Sequence, residues 1–257
     1  MFETVYENIG RLKIPFEDIF TTVFTVTTDM GAALIDTATY PTDVDEYIAP
    51  ALTAAGITAD SLKYIILTHS HRDHAGGLER LHELYPNAVI VSKNQKLHEQ
   101  YENAEFINPA EGEKILDVLE IIGMEGHSRD AVGILDTRSK TLITGDSLQL
   151  YGIFGSGKWG ANIRFQKAHL AVLEKLRGMD IARIFASHEY HTLGWRADGR
   201  EAVLAYINEC EKALDDILGF LGAYQQMTDE IIADMYNSSS GKPTVGTAVF
   251  TAARERL

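Results

Sequence analysis

The sequence predicts an α/β fold with a helical region at its C-terminal end. Over roughly the first 195 residues, apolar and β-branched runs of strand length alternate with segments of helical composition. Beyond about residue 198, only helical patterns follow. Histidine and aspartate come directly after several of the apolar runs, so the sequence also predicts a polar site at the ends of its strands.

The predicted strands are short apolar runs bounded by turn-forming residues. A hairpin is predicted around Asp29-Met30-Gly31, and a second one around residues 137–140. The predicted strands are residues 20–27, 32–36, 62–68, 88–92, 118–122, 132–136, 141–144 and 181–186.

Helical segments separate these strands and then replace them. Thr42 is the predicted N-cap of the first helix, and Gly56 is its predicted end. The predicted helices are residues 44–55, 77–85, 94–102, 165–177, 198–220, 228–236 and 247–255, with a polar break at residues 237–241. The last helices could cover one end of an active-site cleft or form the surface of a homodimer.

Six consecutive residues, His69-Ser70-His71-Arg72-Asp73-His74, bring three of the nine histidines and a carboxylate to the end of a predicted strand. In an extended loop, the first two histidines project to one side, and the aspartate and third histidine turn to a second position nearby. Such ligands suit zinc, and also manganese or iron(II), whereas the absence of cysteine argues against a thiolate site. A solvated polar turn is the alternative.

Three further candidate ligands follow predicted strands. They are His127, Asp146 and His188, and each lies beside a small residue that allows close approach of backbone or metal. Singly, such residues are more often hydrogen-bonded structural groups. Together with the four candidate ligands of the first cluster, they form an ordered set of seven candidate metal ligands.

This ordered set resembles the signature of the metallo-β-lactamase superfamily, His-x-His-x-Asp-His followed by a His, a bridging Asp and a final His. The resemblance covers roughly residues 20–195. It implies a four-layer αβ/βα sandwich of two mixed β-sheets. One domain would span residues 1–257, with residues 198–257 as a helical C-terminal extension.

The resemblance also implies two divalent metal ions, with zinc expected first and iron or manganese as alternatives. It assigns His69, His71 and His127 to the first ion, Asp73, His74 and His188 to the second, and Asp146 as the bridge. Asp36 matches the early aspartate of the family, which supports the histidine loop from behind. A turn-capping role for Asp36 is compatible with that support.

The implied activity is hydrolysis of a small-molecule ester, thioester, lactone or phosphodiester by a hydroxide that bridges the two metal ions. Asp73 and Asp146 are the predicted catalytic residues, because either can accept or relay the proton. The alternative is an enzyme similar to persulfide dioxygenases, with one iron at His69, His127 and Asp146. Flavodiiron-type proteins alter the histidine signature and add a flavin domain, and the sequence shows neither change, so this class is not favoured. A non-catalytic metal-binding protein is a third class.

Residues 148–160 follow the bridging aspartate and combine glycines with aromatic residues, which predicts an irregular pocket wall. The alternative is a loop whose aromatic side chains pack into the core. Two more candidates follow the last ligand, one of them a histidine that could instead be a solvated loop residue. The candidate pocket residues are Tyr151, Phe154, Trp159, Tyr190 and His191.

Charge and composition restrict the classes of partner that we expect this protein to bind. The formal net charge of −14 opposes binding to nucleic-acid phosphates, which is driven by Lys and Arg. The sequence has no apolar run of membrane-spanning length and no signal-peptide pattern at its start. Its single cysteine, Cys210, excludes an intramolecular disulfide. We therefore expect a cytoplasmic protein with a small-molecule substrate and without nucleic-acid or membrane partners.

Overall fold

The structure is a computed structural model that describes residues 1–16, 19–101, 103–154, 157–160, 163–239 and 245–257. For residues 152–154, 157–160 and 239 it describes the backbone. The chain divides into two compact units, Met1–Ile122 and Gly123–Leu257. The prediction of a single domain stays a prediction. Within the described ranges, every helix is too short or too polar to span a lipid bilayer.

The first unit contains a mixed sheet in which the order of the strands in space follows their order in the chain. Its strands are β1 (Glu3–Tyr6), β2 (Ile9–Phe16), β3 (Ile19–Thr28), β4 (Gly31–Ile35), β5 (Leu62–Ile66), β6 (Val89–Val91) and β7 (Phe106–Ile107). The pairs from β1 to β4 are antiparallel, and those from β4 to β7 are parallel. The carboxyl ends of β4 and β5 therefore lie side by side, and each is followed by polar residues.

The helices of the first unit pack their apolar side chains against this sheet. They are α1 (Pro41–Asp43), a π-helical turn (Val44–Ile48), α2 (Ala49–Ala54), α3 (Arg72–Ala75), α4 (Leu78–Leu84) and α5 (Gln95–Gln100). Ile48, Leu52 and Leu81 are fully buried in one cluster with Leu34 and Ile65 of the sheet. Burial of side chains of this size contributes about 1.5–3 kcal/mol each.

The prediction of Thr42 as the N-cap is wrong, because the helical segment begins earlier, after Tyr40. The carboxylate of Asp43 accepts hydrogen bonds from the backbone N–H groups of Thr39 and Tyr40, at 3.0 and 2.8 Å. Thr42 therefore lies inside the first turn. The predicted end is confirmed, since Gly56 adopts a φ of 73° just after α2.

The second unit also contains a mixed sheet. Its strands β10 (Val132–Asp136), β11 (Thr141–Ile143), β14 (Arg183–Phe185) and β15 (Arg196–Asp198) lie in the order β15-β14-β11-β10. β11 and β14 are parallel neighbours, whereas the pairs at either side are antiparallel. A short hairpin of β8 (Lys114–Ile115) and β9 (Leu119–Gly123) leads into this unit from the first.

The glycine-rich stretch after Asp146 is more regular than predicted. β12 (Tyr151–Phe154) and β13 (Gly157–Gly160) form an antiparallel pair with four residue pairs in register. The prediction of an irregular wall is therefore wrong for the backbone of these two strands. Tyr, Ile and Phe favour extended backbone, and this β-propensity outweighs the freedom of the glycines.

The C-terminal part of the second unit is helical, as predicted. Its helices are α6 (Gln166–Gly178), α7 (Arg200–Ala223), α8 (Asp229–Ser239) and α9 (Thr247–Arg254). The predicted polar break begins too early, since α8 continues through Ser239, and residues 240–244 lie outside the described ranges. Phe220, Tyr236 and Phe250 bring their rings within 5.1–6.3 Å of one another, so the last three helices share a small core of their own.

Gly76, directly after α3, occupies a position without room for a side chain. A β-carbon there would lie 1.9 Å from the carbonyl oxygen of Thr39 and 2.6 Å from that of Arg72, both of which belong to the backbone. Replacement by alanine must therefore displace the turn that carries Asp73 and His74. We expect Gly76→Ala to lower the free energy of unfolding by about 3 kcal/mol or more, measured as a lower Tm.

Gly219→Ala is the matched control, because a β-carbon on this α7 residue meets open space. Its expected effect is an unchanged or raised Tm, since alanine is favoured over glycine inside a helix by about 1 kcal/mol. Equal Tm values for the two variants would contradict the close packing at Gly76.

Candidate metal centre

In the first unit, the histidine cluster is extended at its start and helical at its end. His71 has φ and ψ of −65° and 153°, and α3 begins at the next residue. The carbonyl oxygen of His71 accepts hydrogen bonds from the N–H groups of His74 and Ala75, at 3.0 and 2.9 Å. The predicted extended loop is therefore correct up to His71 and wrong beyond it, because this helical turn satisfies backbone groups that a loop would leave to water.

The side chains of the cluster lie close together. The ring of His69 lies 4.5 Å from the ring of His71 and 4.2 Å from that of His74, between centroids. The Nε2 atom of His74 lies 3.5 Å from a carboxylate oxygen of Asp73. His69 and His74 are buried, Asp73 is half-buried and His71 is exposed. Two pairs of potential metal ligands, His69 with His71 and Asp73 with His74, thus lie at neighbouring positions in this unit.

Asp36 supports this cluster from the end of β4. Its carboxylate accepts hydrogen bonds from the N–H and hydroxyl of Thr68, at 2.8 and 2.9 Å, and lies 2.7 Å from Nδ1 of His74. Asp36 and His74 are fully buried. A proton on Nδ1 of His74 satisfies the carboxylate and leaves the lone pair of the ring on Nε2, the nitrogen that could bind a metal ion.

In the second unit, three potential ligands lie at strand ends. Asp146 follows β11, and its carboxylate faces two imidazoles. One oxygen lies 3.8 Å from Nε2 of His127, and the other lies 3.5 Å from Nε2 of His188. All three side chains are buried. A carboxylate whose two oxygens face different histidines has the geometry of a bridging ligand.

Backbone features hold these three residues in place. Because β11 and β14 are parallel neighbours, their carboxyl ends lie at one edge, and Asp146 and His188 follow there. Gly145 adopts a φ of 55°, and its carbonyl oxygen accepts a hydrogen bond from the N–H of Ser187 at 3.2 Å. Gly126, directly before His127, adopts a φ of 157°, which few side-chain-bearing residues tolerate.

The donor sets of both units fit a divalent cation. They consist of imidazole nitrogens and carboxylate oxygens, which suit zinc, iron(II) and manganese. Metal–ligand bonds of about 2.0–2.2 Å in a tetrahedron place ligand atoms about 3.3–3.6 Å apart. The distances of 3.5 and 3.8 Å around Asp146 are close to that spacing.

Two of the candidate pocket residues lie beside a potential ligand. The ring of Tyr190 stacks on that of His188, with centroids 4.7 Å apart, and lies 5.6 Å from the ring of Tyr151. The hydroxyl of Tyr151 donates a hydrogen bond to the carbonyl oxygen of Glu189 at 3.2 Å. The side chains of Phe154 and Trp159 lie outside the described residues.

His191 is neither a solvated loop residue nor an available pocket group. It is buried, its ring stacks on Tyr206 at 3.5 Å, and its Nε2 lies 3.1 Å from the carbonyl oxygen of Tyr206. Its Nδ1 accepts a hydrogen bond from the N–H of Leu193 at 3.0 Å. Because the backbone engages both ring nitrogens, the prediction of a pocket role for His191 is wrong.

Burial lowers the pKa of His191 from 6.5 to about 4, although its bond to the Tyr206 carbonyl opposes the shift. Below pH 6.5, His191 binds a proton in the unfolded chain, whereas in the folded protein it stays neutral down to about pH 4. Stability is therefore full above pH 6.5 and falls as the pH is lowered towards 4. We expect Tm to fall across this window, and to fall less steeply in His191→Phe. An identical pH dependence in the two proteins would contradict this role.

Some residues of these regions escaped prediction. His169 is buried on α6, where its ring lies next to Gly126. Burial and, to a smaller extent, the nearby His127 lower the pKa of His169 to about 4. Gln149 is buried with its amide nitrogen 3.2 Å from Nδ1 of His127. The sequence contains one signal for the burial of Gln149, since this polar residue lies between two leucines, three positions after Asp146. Cys210 is buried, and burial raises the pKa of its thiol.

Comparison with known proteins agrees with this arrangement. The family model described as "Metallo-beta-lactamase superfamily" matches residues 17–188. The chain therefore belongs to the metallo-β-lactamase superfamily.

The chain is similar to a beta-lactamase-like protein 2 homolog of Caenorhabditis elegans, with 23% identity over 72% of this chain and 61% of the relative. It is also similar to a hydroxyacylglutathione hydrolase of Francisella philomiragia, with 27% identity over half of each protein. The chain thus spans about half to three fifths of the length of these curated relatives.

Solved structures show the same fold. A metallo-beta-lactamase family protein of Thermus thermophilus has a TM-score of 0.67 at 17% identity, covering 97% of this chain and 92% of that one. A flavodiiron protein of Giardia intestinalis has a TM-score of 0.65 at 20% identity, covering 83% and 59%. The predicted metallo-β-lactamase fold, with two mixed β-sheets and a helical C-terminal region, is confirmed.

Proposed function

We propose that the protein is a hydrolase that uses two divalent metal ions. The proposed ligands are His69, His71 and His127 for one ion, Asp73, His74 and His188 for the other, and Asp146 as the bridge. The observation that carries the proposal is the carboxylate of Asp146, whose two oxygens face His127 and His188. The order of the seven residues along the chain supports it as well.

Bound as a pair, such ions would polarise the scissile group and lower the pKa of water to about 7. The protein then has to hold the ligands rigidly and move a proton. Asp36 fixes the ring of His74 through its 2.7 Å contact to Nδ1. Asp73 is half-buried, so its carboxylate can accept a proton and pass it to solvent. Asp146 is more deeply buried, so it is suited to remain a negatively charged ligand rather than to exchange protons with solvent.

We propose a small-molecule ester, thioester, lactone or phosphodiester as the substrate. The relatives named hydroxyacylglutathione hydrolase favour a thioester first. The net charge of −14 disfavours nucleic acids as substrates, because their phosphates would be repelled. Tyr151 and Tyr190, adjacent to His188, are the proposed walls of the substrate site.

The test is hydrolysis of a panel of thioesters, lactones, carboxylic esters and phosphodiesters. The protein as purified, the same protein after chelation and the chelated protein reloaded with zinc are compared. We expect turnover of at least one class, its loss on chelation and its return with zinc. Turnover that survives complete metal removal would contradict the proposal, as would inactivity of the zinc-loaded protein on every class.

A further inference from the structure

The side chain of Gln149 is positioned to control one proposed metal ligand. Gln149 is only 8% exposed, and its amide group lies against the ring of His127, with Nε2 placed 3.2 Å from Nδ1. The other end of the amide, Oε1, is buried and has no hydrogen-bond partner among the described residues. A buried amide next to a ligand histidine therefore has its acceptor unused.

The turn that carries Gln149 also carries the proposed bridging ligand. The N–H of Gln149 donates a hydrogen bond to the carbonyl oxygen of Asp146 at 3.2 Å. Leu148, between them, is fully buried, and its carbonyl oxygen accepts a hydrogen bond from the Cys210 thiol at 3.3 Å. One anchored turn thus presents a carboxylate and, three residues later, an amide in contact with His127.

The orientation of the amide decides which nitrogen of His127 can bind a metal ion. With the amide nitrogen facing Nδ1, that atom accepts, and the proton of the neutral ring sits on Nε2. Nε2 is the atom that faces Asp146, so a proton there blocks coordination. Oxygen and nitrogen of an amide have nearly the same shape, and a half-turn about the last side-chain bond exchanges them. That half-turn brings the unused oxygen to Nδ1.

We propose that Gln149 is a positioning residue: its side-chain oxygen accepts a hydrogen bond from Nδ1–H of His127 and keeps Nε2 free to bind metal. The proposal rests on the assignment of His127 as a metal ligand in the proposed function. Partners of this kind fix the tautomer and the orientation of a metal-bound imidazole, and their loss typically weakens metal binding ten- to hundredfold.

The first test reads the tautomer of His127 in the metal-free protein. Long-range ¹H–¹⁵N correlation spectra distinguish Nδ1–H from Nε2–H, and a His127→Asn variant assigns the signals. We expect Nδ1–H in the natural protein and a shift towards Nε2–H in Gln149→Met, which has similar size but no acceptor oxygen. Nε2–H in the natural protein would overturn the proposal, even if that protein binds zinc normally and the proposed function stands.

The second test measures zinc affinity by competition with a chelator. Gln149→Met is expected to bind zinc ten- to hundredfold more weakly, and Gln149→Glu, which keeps an acceptor oxygen, is expected to restore most of the affinity. Gln166→Met is the matched control, because Gln166 is also buried in this unit but donates its amide hydrogen to the Val249 carbonyl. Equal affinities for the Met and Glu variants at position 149 would overturn the proposal.

Failure of the proposed role of Gln149 can be distinguished from failure of the proposed function. If the natural protein binds no zinc, the proposed function and the role of Gln149 in metal binding both fall. If the natural protein binds zinc and Gln149→Met binds it equally well, only the role of Gln149 falls. Thermal melting of each variant, compared with Gln166→Met, separates loss of the fold from loss of the ligand's orientation.

Discussion

Asp146→Ala is expected to lose at least one metal ion per chain and to lower kcat/KM by about a thousandfold or more. The reason is that both oxygens of this carboxylate face histidines, so a single substitution removes a contact from each. Metal content by elemental analysis and turnover of the best panel substrate measure the two effects.

Asp136→Asn provides the control for loss of a buried carboxylate in the same unit. Asp136 accepts hydrogen bonds from the N–H and guanidinium of Arg138, at 3.0 Å each, and is not among the proposed ligands. We expect it to lower Tm while keeping the metal content and activity. If Asp146→Ala retained both ions and full turnover, the bridging role would be wrong.

The second large effect is expected at Asp36. In Asp36→Ala, the N–H and hydroxyl of Thr68 and the ring of His74 lose a buried partner, which costs about 3–5 kcal/mol of stability. Asp36 also has a φ of 64°, which alanine adopts unfavourably. Thermal melting should show a much lower Tm, and chelator competition should show weaker zinc binding.

Asp36→Asn separates these two consequences. Asparagine tolerates a positive φ and keeps the shape and one acceptor oxygen, so most of the stability should remain. Its amide nitrogen, turned to Nδ1 of His74, would move the ring proton to Nε2 and weaken zinc binding ten- to hundredfold. Zinc affinity equal to that of the natural protein would show that Asp36 does not act through His74.

The sequence predicted most of the fold because its strands and helices have strong local patterns. Residues 132–136 form a strand with the predicted bounds, since turn residues flank a mostly apolar run. β1 and β2 were not predicted. Their apolar residues alternate with charged ones such as Arg11 and Lys13, and pairing with β3 stabilises them through contacts distant in sequence.

The candidate ligands were predictable because metal chemistry restricts residue type. A histidine or aspartate after an apolar run is visible in the sequence, and seven of them in family order are specific. The buried polar groups near the ligands were harder to predict. Thr68, Gln149 and His191 contact Asp36, His127 and Tyr206, which are distant in sequence and which only the folded backbone brings near.

The proposed metal centre is tested most directly by the metal content of protein purified without added metal and then dialysed against zinc. We predict two divalent ions per chain, most of them zinc, falling to one or none in Asp146→Ala. One iron per chain with oxygen uptake on a persulfide would instead indicate the dioxygenase class. A chain that holds no divalent ion after dialysis would contradict the metal site and the hydrolase built on it.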